Sequence, residues 1–265
     1  MIYTKRSLGQ NFLKDLNIIK KITNITKIVN KDVLEIGPGE GALTNEIIKN
    51  NPKSLTLIEK DDSLFKKLKL KYSNNSKIKI YNEDILKFNL EEKIKKNTII
   101  FGNLPYNISS QILVKIIRFK KWPPKYSALI FMFQKEMADR IIGKFKTSKY
   151  GRLSILANYK LKVLNKFNVS PNCFFPKPKV ISTVLFLKPN HKIFHKIKNI
   201  QNLEKITNIL FSNKRKMINK GFSKLFKNAE NLSRKLDINL SLRPDQLNEN
   251  DFYRIVEYYE KYKKI

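Results

Sequence analysis

The chain contains a single cysteine, Cys173, among 265 residues. One thiol excludes an intramolecular disulfide, and so few cysteines fit a reducing cytoplasm. Long hydrophobic runs are also missing: no stretch of 18 apolar residues occurs, so we expect no transmembrane helix. The first residues, M-I-Y-T-K-R, lead into polar sequence instead of the apolar run of a signal peptide. These absences predict a cytoplasmic protein without a membrane anchor.

Acidic side chains are scarce in the middle of the chain. The formal net charge is +32, and lysines outnumber arginines 46 to 8, a bias that the codons of an AT-rich genome would impose whatever the function. However, residues 93–203 carry 23 basic side chains and only two acidic ones, Glu136 and Asp139, whereas the net charges of residues 1–92 and 204–265 are +5 and +6. Codon bias alone would not remove acids from one segment. We therefore predict a face that binds a polyanion, and we favour nucleic acid over a membrane because no basic amphipathic anchor stands out.

Strand and helix patterns alternate through the first two thirds of the chain, which predicts an α/β fold with a doubly wound, mainly parallel sheet and helices on both faces. The predicted strands are 32–36, 54–59, 77–81, 97–102, 128–133, 161–169 and 180–187, and the predicted helices begin near residues 42, 61 and 109. After Pro189 the spacing becomes helical, without a convincing strand. We predict two domains, 1–189 and an all-helical 190–265.

A glycine-rich turn follows the first predicted strand, with the sequence E-I-G-P-G-E-G at residues 35–41. Glycines let the chain turn sharply and let a ligand approach the backbone closely. The spacing G-x-G-x-G differs from the dinucleotide fingerprint G-x-G-x-x-G and is typical of sites for S-adenosylmethionine (SAM). Such a turn also occurs between a strand and a helix without any ligand.

Polar residues follow the next three strands at the point where each strand ends. Glu59 lies about twenty residues after the glycine turn, where a carboxylate can accept hydrogen bonds from ribose hydroxyls. Asp84 can accept from the adenine amine of the cofactor, although a turn or helix cap would also explain an aspartate there. With Asn103, these residues share the edge of an open sheet where ligands bind.

The four residues Asn103-Leu104-Pro105-Tyr106 combine a side-chain amide, backbone carbonyls stiffened by a proline and an aromatic ring. The amide oxygen and a carbonyl can accept hydrogen bonds from an exocyclic amine, and the ring can stack on a base. This combination predicts a site for a flipped-out adenine.

Seven segments together resemble the rRNA adenine N6-methyltransferase family, and within it the bacterial 16S rRNA adenine dimethyltransferases linked to kasugamycin sensitivity. They are G-Q-N-F-L at 9–13, E-I-G-P-G-E-G-A-L-T at 35–44, G-N-L-P-Y-N-I-S at 102–109, Q-K-E at 134–136, Y-G-R-L-S at 150–154, P-N-C-F-F-P-K-P-K-V-I-S at 171–182 and L-R-P at 242–244. One departure is N-K-R-K at 213–216 in place of a more usual Q-R-R-K.

The resemblance implies a Rossmann-like, SAM-dependent methyltransferase domain followed by a helical RNA-binding domain. It implies dimethylation of the N6 of two adjacent adenosines near the 3′ end of 16S rRNA in the 30S subunit, by a cytoplasmic monomer that also acts in small-subunit biogenesis. The cofactor set would be Asn11, Leu13, Gly37, Glu59, Asp84 and Asn103. The catalytic set would be Asn103, Leu104, Pro105, Tyr106 and Phe174, with Tyr106 and Phe174 sandwiching the target adenine.

Three other functions remain alternatives. A large-subunit rRNA adenine methyltransferase of the macrolide-resistance type shares the cofactor loop, and a non-catalytic ribosome-assembly factor would keep the fold as an RNA clamp. A DNA adenine methyltransferase is disfavoured because no target-recognition domain is evident. No metal is expected, since His191 and His195 stand four residues apart without a third ligand or a nearby carboxylate pattern. Cys173 is interpreted as a packed thiol, because direct methyl transfer needs no covalent nucleophile.

Overall fold

The computed structural model of the chain describes residues 11–262. The chain divides into two compact units, one formed by residues up to Ala138 with Val163–Pro189 and the other by Asp139–Lys162 with the residues after Pro189. The change at Pro189 coincides with the predicted boundary, but Asp139–Lys162 belongs to the second unit and not to the first. As a statement about independently folding domains, the division into 1–189 and 190–265 stays a prediction.

The elements are given in chain order. The strands are β1 Phe12–Leu13, β2 Asp32–Ile36, β3 Ser54–Glu59, β4 Ile78–Asn82, β5 Thr98–Asn103, β6 Tyr126–Gln134, β7 Leu161–Val169, β8 Phe174–Phe175 and β9 Ser182–Pro189. The α-helices are α1 Leu16–Thr23, α2 Ala42–Lys49, α3 Asp62–Lys71, α4 Leu90–Lys93, α5 Ser109–Ile117, α6 Lys135–Ile141, α7 Arg152–Lys160, α8 Ile200–Phe211, α9 Asn219–Leu225, α10 Ala229–Lys235 and α11 Glu249–Tyr262.

Within the described part of the chain, seven strands form the main sheet, in the order β4-β3-β2-β5-β6-β9-β7. The pairs from β4 to β6 are parallel, and β9 joins β6 in the antiparallel direction, with Leu129 opposite Leu187. The order of the strands reverses between β2 and β5, and in open α/β sheets ligands bind in the crevice at such a switch point. The predicted α/β fold class is confirmed.

The central strands are buried along nearly their whole length because helices cover the sheet. Strand β5 exposes only part of its last residue, and β6 reads as a continuous apolar run, as expected for strands covered on both faces. Helix α2 turns Leu43, Thr44 and Ile47 inward, one stripe of a helix that begins directly after the glycine turn. This packing fixes the carboxyl ends of β2 to β5, where the polar residues lie.

A two-stranded ribbon joins the start of the described chain to the Pro-rich segment, residues 171–181. Strand β1 pairs antiparallel with β8, with Phe12 opposite Phe175 and Leu13 opposite Phe174. The N–H of Lys14 donates to the carbonyl of Cys173 at 2.8 Å and extends the ribbon by one bond. The ribbon therefore holds residues 11–14 in place over the glycine turn.

The second unit is helical, and α7 explains why it takes in residues 139–162. Six of the nine residues of α7 are buried, Ile155, Leu156 and Ala157 among them, and α7 packs against α8 and α11. Tyr253 of α11 donates its hydroxyl hydrogen to the carbonyl of Ile155 at 3.0 Å. Within residues 11–262, no helix is both long and apolar enough to cross a membrane.

Candidate active site

One pocket of the first unit lies at the carboxyl ends of β2, β3, β4 and β5. It brings together nine of the residues that the sequence assigns to the cofactor and catalytic sets. They are Asn11, Leu13, Gly37, Glu59, Asp84, Asn103, Leu104, Pro105 and Tyr106. Gly9 and Gln10, the first two residues of the amino-terminal motif, lie outside the described residues.

The glycine turn forms one wall of the pocket. Gly37, Gly39 and Gly41 have φ angles of 65°, 60° and 83°, a left-handed conformation that other residues adopt only with strain. The N–H of Gly39 donates to Oε2 of Glu59 at 3.1 Å, and the ring of Phe12 lies so close that a Cβ on Gly39 would approach it to 2.9 Å. The turn is thus held by a carboxylate from β3 and covered by the ribbon.

Two buried carboxyl groups flank the turn. Glu59 also accepts a hydrogen bond from the N–H of Asp61 at 2.9 Å, and burial raises its pKa although the two N–H donors favour the charged form. Glu35, on β2, accepts a hydrogen bond from the hydroxyl of Thr44 at 2.6 Å. Burial raises the pKa of Glu35 to about 7, against that hydrogen bond and with a smaller contribution from the charge of Glu59.

Asp84 lies at the lip of the pocket and is paired with a lysine. Its Oδ2 accepts from Nζ of Lys60 at 2.8 Å, and its Oδ1 accepts from the N–H of Leu86 at 2.9 Å. Although partial burial acts in the opposite direction, these hydrogen bonds and the charge of Lys60 lower the pKa of Asp84. Asp84 is therefore an ionised acceptor at neutral pH.

The charge of the pocket is opposite to that of the chain. Its lining includes five acidic residues and two basic ones, in a protein of net charge +32. The acidic residues are Glu35, Glu40, Glu59, Glu83 and Asp84, and the basic ones are Lys14 and Lys60. A dinucleotide pyrophosphate would be repelled by so many carboxylates, whereas a ligand with a sulfonium and an ammonium group fits them. The carboxylate acceptors of the pocket therefore suit SAM.

Asn103 is oriented by the amino-terminal segment. Its Nδ2 donates to the carbonyl oxygen of Asn11 at 2.9 Å, which assigns the amide so that Oδ1 is the group offered to a donor in the pocket. Leu104 is buried beside it, and its side chain fills the space next to Gly102, where a Cβ would come within 2.6 Å of it. The side chain of Leu104 is thus packed closely against the end of β5.

The Tyr106 ring is also fixed in position. Its hydroxyl and that of Ser182, the first residue of β9, are hydrogen-bonded at 2.6 Å. Burial raises the pKa of Tyr106 above its usual value, so the phenol stays protonated at neutral pH. The ring stands at the pocket, where it can cover one face of a bound base.

Phe174 is not among the described residues that line the pocket. It is 5% exposed and belongs to the hydrophobic core, on the same face of the ribbon as Leu13. The neighbouring Phe175 is 44% exposed. The sandwich of the target adenine between Tyr106 and Phe174 stays a prediction.

Several residues of the site were missed by the sequence analysis. Phe12, Glu35 and Ser182 stand inside motifs that were recognised, but no role was assigned to them. Phe12 reaches the pocket because of its position in the ribbon, and Ser182 contacts Tyr106 because β9 begins there. Both placements depend on tertiary structure. Lys60 directly follows Glu59 and pairs with Asp84. Its position next to a predicted ligand-binding acid is a signal in the sequence for such a role.

The comparison with protein families decides the class of this enzyme. The model described as "Ribosomal RNA adenine dimethylase" matches residues 1–261. The chain belongs to this family. It is therefore an rRNA adenine dimethyltransferase, and the resemblance drawn from the motifs is confirmed.

Curated relatives match over nearly the whole chain. A protein of Pelagibacter ubique named ribosomal RNA small subunit methyltransferase A is 46% identical over 259 residues, 98% of each chain. A protein of the same name from Mycoplasma mobile is 37% identical over 260 residues, covering 96% of this chain and 97% of its own.

Solved structures agree with the fold. The crystal structure of a dimethyladenosine transferase from Plasmodium falciparum has a TM-score of 0.77 at 28% identity and covers 94% of this chain and 98% of its own. The 23S rRNA methyltransferase ErmE has a TM-score of 0.65 at 23% identity, with coverages of 93% and 99%, which shows a shared fold.

The second unit corrects one detail of the interpretation of the histidines. Nδ1 of His195 lies 2.8 Å from Oε2 of Glu257 on α11, so a carboxylate does accompany this histidine. The two residues are 62 positions apart, so the local sequence around His195 does not reveal the pair. Among the described residues, no group of three or more His, Cys, Asp or Glu side chains is arranged to hold a metal ion.

Proposed function

We propose that the enzyme transfers methyl groups from SAM to the N6 atoms of two adjacent adenosines near the 3′ end of 16S rRNA, within the 30S subunit. Each adenosine is dimethylated, so one RNA receives four methyl groups. The support for the small subunit is the 46% identity with a small-subunit methyltransferase over 98% of both chains. The enzyme acts in the cytoplasm as a monomer, without a metal, and its binding also serves small-subunit biogenesis.

The orientation of Asn103 carries the assignment of the target base. Nδ2 of Asn103 already donates to the carbonyl of Asn11, so the side chain offers its Oδ1 to the pocket. Oδ1 can accept a hydrogen bond from an amine, but it cannot donate one. An exocyclic amine such as adenine N6 satisfies this requirement, and a carbonyl at the same position of the base would not. The site therefore selects an amino base.

The cofactor is held by the other residues of the pocket. Glu59 accepts from the ribose hydroxyls, Asp84 from the adenine amine, and Gly37 lets the methionine end approach the backbone. Asn11 and Leu13, held by the ribbon, border the cofactor from the amino-terminal side. When bound, SAM supplies an electrophilic methyl group on a sulfonium.

The catalytic residues position a weak nucleophile. The lone pair of adenine N6 is delocalised into the ring, which makes the amine a weak nucleophile. Oδ1 of Asn103 and the carbonyl oxygen of Leu104 accept hydrogen bonds from this amine and favour a pyramidal nitrogen. Tyr106 stacks on the base and stabilises the positive charge that develops at N6. Positioning supplies most of the rate enhancement, and the extra proton leaves to a carbonyl or to water. The basic residues of the middle segment hold the RNA through its phosphates.

The test compares the wild-type protein with Asn103→Ala on 30S subunits that lack these methyl groups. We expect the rate of dimethyladenosine formation to fall by about 10² or more, comparable with the loss of one preorganised hydrogen bond in an active site. SAM affinity, measured by calorimetry, should fall much less because Glu59 and Asp84 remain. Asn89→Ala, at an exposed asparagine bonded to Glu92, is the control and should behave like the wild type. Undiminished methylation by Asn103→Ala would contradict the proposal.

A further inference from the structure

The β1–β8 ribbon has two faces with different surroundings. In an antiparallel pair, residues directly opposite each other place their side chains on the same face, and successive residues alternate between faces. Leu13 and Phe174 share the face that is buried in the hydrophobic core. Phe12 and Phe175 therefore share the other face.

The face with Phe12 and Phe175 is continuous with the pocket. Phe12 lines the pocket and lies against the glycine turn at Gly39. The Cα atoms of opposed residues in such a pair are about 4.5–5.5 Å apart. Phe175 is therefore a direct neighbour of Phe12, which lines the pocket. It is 44% exposed, so much of its ring is open to a ligand.

The ring of Phe175 is accompanied by positive charge. Nζ of Lys14 lies 4.0 Å from the centre of the ring, a cation–π distance. The Pro-rich segment from Pro171 to Ile181 adds the exposed Lys177 and Lys179 and contains no acidic residue. An exposed ring with one ammonium group over it, in a segment that carries further exposed lysines, suits a nucleotide. The base stacks on the ring, and its phosphate meets a cation.

We infer that Phe175 and Lys14 form a stacking subsite for the nucleotide next to the target adenosine. The inference deepens the proposed function and rests on it, since a substrate with two adjacent adenosines always presents such a neighbour. The target base must enter the pocket to reach Asn103, and the neighbouring base then lies at the rim, where Phe175 is exposed. Phe175 thus binds RNA and does not contact the transferred methyl group.

The test measures steady-state methylation of undermethylated 30S subunits by the full-length protein, with labelled SAM. Stacking on one aromatic ring changes affinity enough that Phe175→Ala should raise the KM for 30S subunits about tenfold. The kcat at saturating subunits and the affinity for SAM should stay unchanged. Phe175→Tyr keeps the ring and should keep the wild-type KM. Lys14→Gln should reduce the slope of the logarithm of subunit affinity against the logarithm of salt concentration by about 1, the contribution of one phosphate contact.

The matched control is Phe65→Ala on α3. Phe65 also has a lysine near its ring, Lys69 at 5.7 Å, but it does not belong to the ribbon. An unchanged KM for Phe175→Ala, or an equal rise for Phe65→Ala, would overturn the inference. A loss of SAM affinity or of kcat in Phe175→Ala would also overturn it, because the ring would then serve the pocket itself. If the wild-type protein does not methylate 30S subunits, the proposed function itself is refuted. If the wild-type protein methylates them and Phe175→Ala has the same KM, only the subsite is refuted.

Discussion

Glu35 is a buried carboxyl of the pocket whose charge changes near neutral pH. It is 1% exposed, accepts a hydrogen bond from Thr44, and has a pKa of about 7 instead of the usual 4.5. The folded protein therefore binds this proton more tightly than the unfolded chain does. The stability that comes from Glu35 is complete below about pH 4.5 and is lost as the pH rises through about 7.

We predict that Glu35→Gln removes this loss. Between pH 5 and pH 8, the free energy of unfolding of the wild-type protein should fall relative to that of the variant by about 2–3 kcal/mol. Denaturant unfolding without cofactor at several pH values measures the difference. Glu230→Gln, at an exposed glutamate of α10, controls for the loss of an acid. Parallel pH profiles for the wild type and Glu35→Gln would show that the buried carboxyl does not titrate in this range.

At the scale of elements, strands with strong local patterns were predicted well and elements that depend on distant partners were not. The bounds of β2 and β3 agree with the sequence analysis because their buried apolar runs end at Gly37 and Glu59. The bounds of β7 agree as well, although most of its residues are exposed. Helix α7 was missed because six of its nine residues are buried, which leaves no clear polar stripe to reveal a helix. Helix α1 was missed too, although Asp15 caps it by accepting from the N–H of Ile18.

The ribbon shows why part of the site could not be predicted. Strands β1 and β8 have two residues each and lie about 160 positions apart, so neither has a period that can be recognised. The sequence placed Asn103, Glu59 and Asp84 correctly at the edge of the sheet, because strand ends follow from local patterns. Which of Phe174 and Phe175 faces the core follows only from the pairing with Leu13 and Phe12.

Gly39 connects the ribbon with the cofactor turn, and its substitution tests that connection. Gly39→Ala adds a Cβ that meets the Phe12 ring at 2.9 Å, in a backbone with φ of 60°. Gly37→Ala adds the same strain at φ of 65° but meets nothing within 4 Å. We predict that both variants lose about 1–2 kcal/mol of stability from the left-handed backbone, and that Gly39→Ala loses more.

Thermal or denaturant unfolding of both variants checks this prediction. Adding Phe12→Ala to Gly39→Ala removes the clashing ring, so the double variant should recover the excess loss relative to Gly37→Ala. Equal stabilities of Gly39→Ala and Gly37→Ala would mean that the Phe12 ring does not press on the turn.

At the scale of the whole molecule, acidic and basic side chains are concentrated in different places, each suited to a different kind of ligand. The pocket gathers carboxylates for a cationic cofactor, while residues 93–203 carry a net charge of +21. A cofactor bound by carboxylates inside a pocket is screened little by salt, but phosphate contacts on a surface depend on it strongly.

We predict that affinity for 30S subunits falls steeply with salt and that affinity for SAM does not. For six to ten phosphate contacts, the loss between 50 mM and 200 mM salt is about 10³ to 10⁵. Filter binding of subunits and calorimetry of SAM over this range measure the two dependences. A subunit affinity that is insensitive to salt would mean that the lysine excess reflects codon usage and not RNA binding.

The most direct test of the central claim is methyl transfer from labelled SAM to undermethylated 30S subunits, with 50S subunits and naked DNA as parallel substrates, followed by nucleoside analysis. The account predicts N6-dimethyladenosine from 30S subunits alone. Label in 50S subunits or DNA, or SAM binding without any transfer to 30S subunits, would contradict it.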